Sequence, residues 1–148
     1  MSKYDLIVWI VTLAMIVIEA ISDVKRREIK IVYLIVAGAI GILALVISGE
    51  KSRIISSLFG IAIGLTVIVL AYLTKGGIGY GDGLLLCISG LLLGVRNNII
   101  LLLMGCFFSA VVSMFLLVIK KADRKTLLPF VPFLIPAVIV SFAFERIA

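Results

Sequence analysis

The 148-residue chain contains no histidine, only two cysteines and three prolines, and just eight acidic residues. The missing histidine removes imidazole bases, Ser-His and Cys-His nucleophile systems, and the commonest metal ligand. Cys87 and Cys106 lie inside apolar stretches and form no CxxC pair, which argues against a zinc site or a disulfide framework and leaves them to fill helix space. Neither a metal nor a cofactor is expected, so any hydrolytic chemistry falls to carboxylates. Polar residues are scarce throughout: 15% are charged and 64% apolar, against roughly 45 to 50% apolar in soluble domains. A soluble core of this length could not hide so many Leu, Ile and Val side chains, so lipid must solvate most of them.

The formal net charge of +6 does not point to nucleic acid, because the cations sit in short clusters between apolar runs. Those runs are Leu6 to Ile21, Ile31 to Ser48, Ile54 to Thr74, Ile78 to Val95, Asn98 to Ile119 and Leu127 to Phe144. Most approach the roughly 20 residues that a bilayer-crossing helix needs. The first run continues to Ile21 without an Ala-x-Ala site, so it reads as a retained helix rather than a cleaved signal. The expected fold is all-α, a polytopic membrane bundle of about six transmembrane helices forming one domain over 1–148. Short loops make consecutive helices antiparallel. With the N-terminus outside, inner loops carry Lys25, Arg26, Arg27, Lys30, Lys75, Lys120, Lys121, Arg124 and Lys125, against five cations outside, as the positive-inside rule favours. Gly60 with Gly64, and Gly90 with Gly94, have the spacing of close helix contacts.

Ionisable groups within membrane helices are costly and few here. Asp23 ends the first helix, Glu19 lies one turn earlier on the same face, and Asp82 sits in a stretch with five glycines (76, 77, 79, 81 and 83) in eight residues. One antiparallel hairpin separates the two aspartates, which places them on the same side of the membrane. A regular helix is not expected through those glycines. The uncharged run after them, Leu84 to Leu93, gives only about 15 Å of helix, roughly half a bilayer. Either that helix is short or the glycine loop dips below the membrane surface, where buried or water-lined backbone is tolerated. Two carboxylates suffice for peptide hydrolysis when they share a water: one stays protonated to polarise the carbonyl and the other takes a proton from the water. Each aspartate alone also has a structural reading. Asp23 could be neutralised by Lys25, Arg26 or Arg27, and Asp82 could be an N-cap.

The stretch Gly76 to Gly94, GGIGYGDGLLLCISGLLLG, resembles the second active-site motif of type IV prepilin peptidases, with Gly79, Gly81 and Asp82 at its GxGD core. Asp23-Val24-Lys25-Arg26-Arg27-Glu28-Ile29 is similar to the family's first motif, and Leu128-Pro129-Phe130-Val131-Pro132-Phe133 resembles the Pro-Phe-Gly-Pro segment that opens its last helix. The three occur in family order across nearly the whole chain. Lys30 and Ile31 depart from the family's Pro and Asn, Leu84 from a Lys, and Val131 from a Gly. The resemblance implies an aspartyl endopeptidase with Asp23 and Asp82 as its catalytic pair and Gly79 and Gly81 in the active-site loop. It implies a short, peptidase-only form without the N-terminal methylating part, in a bacterial or archaeal inner or plasma membrane with its site facing the cytoplasm. Its partner would be a prepilin-like precursor with a basic leader and an apolar helix that stays among membrane lipid.

Around the pair, Glu19, Glu28 and Asp123 are candidates to attract a basic leader, although Glu28 and Asp123 lie in loops dense with cations. Pro129, with Pro132 and Pro136, either bends the start of the last helix and shapes the cavity or forms a proline-tolerant helix entrance. Tyr80 could bond near the pair or sit at the membrane interface. Two rival readings are a presenilin-like GxGD protease and a small non-enzymatic transporter or scaffold. The first has a Tyr before its first Asp, where this chain has Ser22; the second would be supported by an inverted repeat, and none is visible.

Overall fold

In lipid a backbone N–H or C=O has only its own chain to bond with, so apolar runs become helices. The computed structural model describes residues 3–26, 28–75, 78–119 and 128–147. Within them the order is α1 (Lys3–Arg26), α2 (Ile31–Ser48), α3 (Lys51–Leu73), α4 (Tyr80–Val118), a 3-10 turn (Val131–Phe133) and α5 (Leu134–Ile147), with no strand among the described residues. The first four are long and apolar enough to cross a membrane. Their outward faces are apolar as well, with Val32, Val46, Phe59, Met114 and Phe115 all exposed, which is the surface that a lipid solvent requires.

The 39 residues of α4 are not one rod. Gly94 has φ 77° and ψ 176°, and the chain doubles back there. The side-chain nitrogen Nδ2 of Asn98 donates to the carbonyl of Leu86 at 3.0 Å, and the Ser89 hydroxyl donates a 2.7 Å hydrogen bond to Asn98 Oδ1. Twelve residues of unbroken helix would hold Asn98 and Leu86 about 18 Å apart. The second half of α4 therefore runs back along the first, and the six apolar runs survive as six helical stretches. The break falls at Gly94 rather than at Arg96 and Asn97, because only glycine readily adopts that backbone conformation.

The other elements pack around α4. Gly60 of α3 and Gly90 of α4 meet so closely that a Cβ on Gly60 would lie 2.3 Å from the Gly90 carbonyl oxygen, and one on Gly64 would lie 2.3 Å from the Cys87 nitrogen. Gly60, Gly64 and Gly90 thus serve close helix approach as expected, whereas Gly94 serves the turn. On α2, Gly38 and Gly41 receive Ile88, Leu91 and Leu92, and α2 stops at Gly49, whose left-handed backbone (φ 60°) returns its N–H to Leu45. Gly105 in the second half of α4 admits Phe130 and Leu134, and Trp9 of α1 meets Phe142 of α5 edge to face at 5.4 Å.

The last helix differs from expectation. It begins at Leu134, after Pro129 and Pro132, and Pro136 falls in its first turn, where a missing N–H leaves no helix bond unmade. The prolines stand in and before the entry to the helix. Leu127, the expected start, lies outside the described residues.

Candidate active site

Antiparallel packing brings the end of α1, the start of α2, the start of α4 and the 3-10 turn to one end of the bundle. Asp23 lies in the last turn of α1 and Asp82 in the first turn of α4. Each lies within range of the other's charge, and both are half-buried. Asp82 is the third residue of its helix, so it is neither in an irregular loop nor the N-cap; that position belongs to Gly79. An acidic side chain in a first helical turn complements the unbonded N–H groups there, which explains why a helix can start among glycines. The first half of α4 gives only about 21 Å of helix and the second half about 36 Å. The Asp82 end of the first half therefore stops well short of the end of the second, as a short helix requires.

Gly79 and Gly81 fit around Asp82 for separate reasons. A Cβ on Gly79 would lie 2.8 Å from Asp82 Oδ2, so the missing side chain leaves room for the carboxylate. A Cβ on Gly81 would lie 2.6 Å from Ile29 Cδ1, so Gly81 admits the linker between α1 and α2. Through Ile29, the segment following Asp23 touches the residue preceding Asp82. On the other flank, the backbone N–H of Val131 donates to Asp23 Oδ2 at 3.3 Å across 108 residues of sequence. The side chain of Val131 is fully buried where the related motif has glycine.

The remaining candidates separate. Glu19 is fully enclosed, and its Oε2 accepts the Lys30 N–H at 2.9 Å. A carboxylate enclosed in that way is not exposed to a leader arriving from water. Glu28 is exposed at the same end. Tyr80 is 48% exposed and, with Tyr72, Leu73 and Lys75, lines an open groove of about 540 Å³ beside the start of α4. Pro129 precedes the turn that presents the Val131 N–H. Arg27, Gly76, Gly77 and Asp123 lie outside the described residues. Among the described residues no group of three or more acidic or cysteine side chains is arranged to hold a metal ion.

A second, more polar cavity of about 290 Å³ lies at the opposite end, where Arg53 pairs with Asp5. It contains neither aspartate of the pair. Two structural features escaped the sequence. The Asn98 amide, which also donates to the Gly60 carbonyl at 3.0 Å, is a polar residue in an apolar run and carried a signal that could have been read. The Val131 N–H is a backbone group, and nothing in the residue types marks it as a partner of Asp23.

Residues 9–114 match the sequence model of the type IV leader peptidase family. That is well over half of the chain, and the chain belongs to this family of peptidases. No curated protein and no solved structure matches it.

Proposed function

From that membership we propose that the chain is a membrane aspartyl endopeptidase that removes the basic leader from type IV prepilin-like or pseudopilin precursors, with Asp23 and Asp82 activating the attacking water. The observation that carries this reading is that two carboxylates from different helices lie at the same end of the bundle, within range of each other's charge. Like charges held close together resist ionising at once, so in this reading the pair shares a single proton. The ionised member takes a proton from water as the water oxygen bonds to the scissile carbonyl carbon. The protonated member donates to the carbonyl oxygen; as the tetrahedral carbon collapses and the C–N bond breaks, the proton taken from water passes to the departing amine and a hydroxyl of the tetrahedral carbon returns its proton to the other carboxylate. The two act as one unit, and the roles are not divided between Asp23 and Asp82.

The site faces the cytoplasm, where the precursor's leader lies, and the positive-inside distribution of Lys and Arg supports that orientation. The precursor's apolar helix remains in the bilayer against the apolar flanks of the bundle. Glu28 is the exposed acid at the site end among the described residues and suits contact with a basic leader.

Co-expression with a precursor that carries a basic leader and one apolar helix tests this proposal. Wild type is expected to remove the leader, and Asp23→Asn and Asp82→Asn are each expected to abolish removal while the proteins accumulate normally in the membrane. Equal processing by wild type and either Asn variant would refute the peptidase reading and favour a non-enzymatic role.

A further inference from the structure

Hydrolysis by the aspartate pair leaves one buried carboxylate at the site end without a task. Glu19 shares a face of α1 with Asp23 and is fully enclosed. Its Oε1 has no hydrogen-bond partner among the described residues, while its Oε2 accepts the backbone N–H of Lys30. Lys30 immediately precedes α2, which has no side-chain cap, so Glu19 holds the chain at the point where that helix begins. One residue earlier, Ile29 lies against the bare α-carbon of Gly81, and Gly81 adjoins Asp82. A continuous path of contacts thus runs from α1, through the Glu19 carboxylate and the 28–30 strap, to the start of α4.

We propose that Glu19 is a positioning residue that sets the separation of Asp23 and Asp82 by anchoring the 28–30 strap between α1 and α4. The proposal rests on the aspartyl peptidase reading above. Without the anchor the strap can lift, Ile29 no longer holds Gly81, and the two carboxylates drift from the spacing at which one water serves both. The chemical step is sensitive to such displacement, since about an ångström of misplacement can slow a reaction on the order of a hundredfold.

The test compares Glu19→Gln with Glu19→Ala in the full-length protein, reconstituted with a precursor bearing a Lys- and Arg-rich leader and one apolar helix. Both variants remove the charge, but only Ala removes the oxygen that accepts the Lys30 N–H. Any difference between them therefore reads the hydrogen bond. Glu19→Gln is expected to keep kcat within about threefold of wild type, and Glu19→Ala to lower kcat on the order of tenfold to a hundredfold with KM little changed. The pH profile supplies a readout that loss of stability does not move. The two limbs of a bell-shaped profile are spread by the interaction of the paired carboxylates, so a wider pair brings the limbs closer together in Glu19→Ala than in Glu19→Gln. Among the described residues, Lys25 and Arg26 at the end of α1, Glu28 and Lys30 of the strap and Lys75 beside the start of α4 are the other charged groups at this end, and they are common to both variants.

Ile29→Ala loosens the strap from its other end. It is expected to lower kcat in the same way, and the Glu19→Ala/Ile29→Ala double variant is expected to be no slower than the slower single. If Glu19→Ala does not accumulate, Ile29→Ala carries the test alone, and a wild-type kcat and pH profile in that variant overturns the proposal. Equal behaviour of Glu19→Gln and Glu19→Ala, whether both active or both impaired, also overturns it. Failure of wild type to cleave, or cleavage by Asp23→Asn, would instead strike the peptidase reading itself.

Discussion

At the scale of single residues, the fit between Gly81 and Ile29 makes a methyl group consequential. An alanine Cβ at 81 would stand 2.6 Å from Ile29 Cδ1, well inside van der Waals contact. Gly81→Ala is expected to destabilise the protein by about 1–3 kcal/mol, the usual penalty of overpacking, read as a lower midpoint of thermal unfolding in detergent. Adding Ile29→Ala removes the obstructing atoms, and the double variant is expected to recover most of that stability. Asn98 poses the opposite problem, because its side chain satisfies two carbonyls in an apolar interior. Asn98→Leu leaves the Gly60 and Leu86 carbonyls without this donor and frees the Ser89 hydroxyl from its side-chain partner. A loss of about 1–3 kcal/mol in the same unfolding measurement is expected.

At the scale of elements, the decisive feature is the reversal within α4. Gly94 occupies a backbone region that is essentially reserved for glycine, and its α-carbon also faces Ser56, whose hydroxyl accepts the Val95 N–H at 3.1 Å. Gly94→Ala combines backbone strain of about 1–3 kcal/mol with a Cβ only 2.5 Å from Ser56 Oγ. It is expected to unfold more readily than Asn98→Leu, and precursor processing should fall with it because the first half of α4 carries Asp82. Much of this element was legible in advance. The six apolar runs, the contact glycines 60, 64 and 90, and a short helix after the glycine stretch all follow from bilayer thickness and side-chain size. The place of the turn was not, since Arg96 and Asn97 look like a loop by polarity while the backbone breaks where a side chain is missing. The helical setting of Asp82 was hidden for a related reason: glycines lower helix propensity locally, but packing against Ile29 and Ile68 overrides it.

At the scale of the whole molecule, the two ends of the bundle differ in chemistry. One end holds Asp23, Asp82 and the strap; the other holds the polar cavity with Asp5, Glu50, Arg53 and Glu145. The proposed orientation puts the first end inside the cell. In a variant lacking Cys87 and Cys106, a membrane-impermeant maleimide applied to intact cells is expected to label Ser52→Cys, and to label Glu28→Cys only after permeabilisation. The reverse pattern would turn the protein over and separate its site from a cytoplasmic leader. Sequence alone could place both aspartates on one side, because antiparallel counting needs only the number of crossings. It could not show that Val131 would reach Asp23, since that contact depends on how the last turn docks against α1.

That docking has a consequence for the life of the newly made chain. Asp23 enters the membrane with the first helix, but the backbone N–H that bonds its carboxylate belongs to residue 131. Helices inserted one after another can bring the two aspartates together once the first half of α4 is in place, yet Asp23 lacks this neighbour until the final turn has been synthesised and seated. Maturation of the site is therefore tied to the synthesis and seating of residue 131. A chain arrested after residue 119 would hold both acids without the group that closes one flank of the pair.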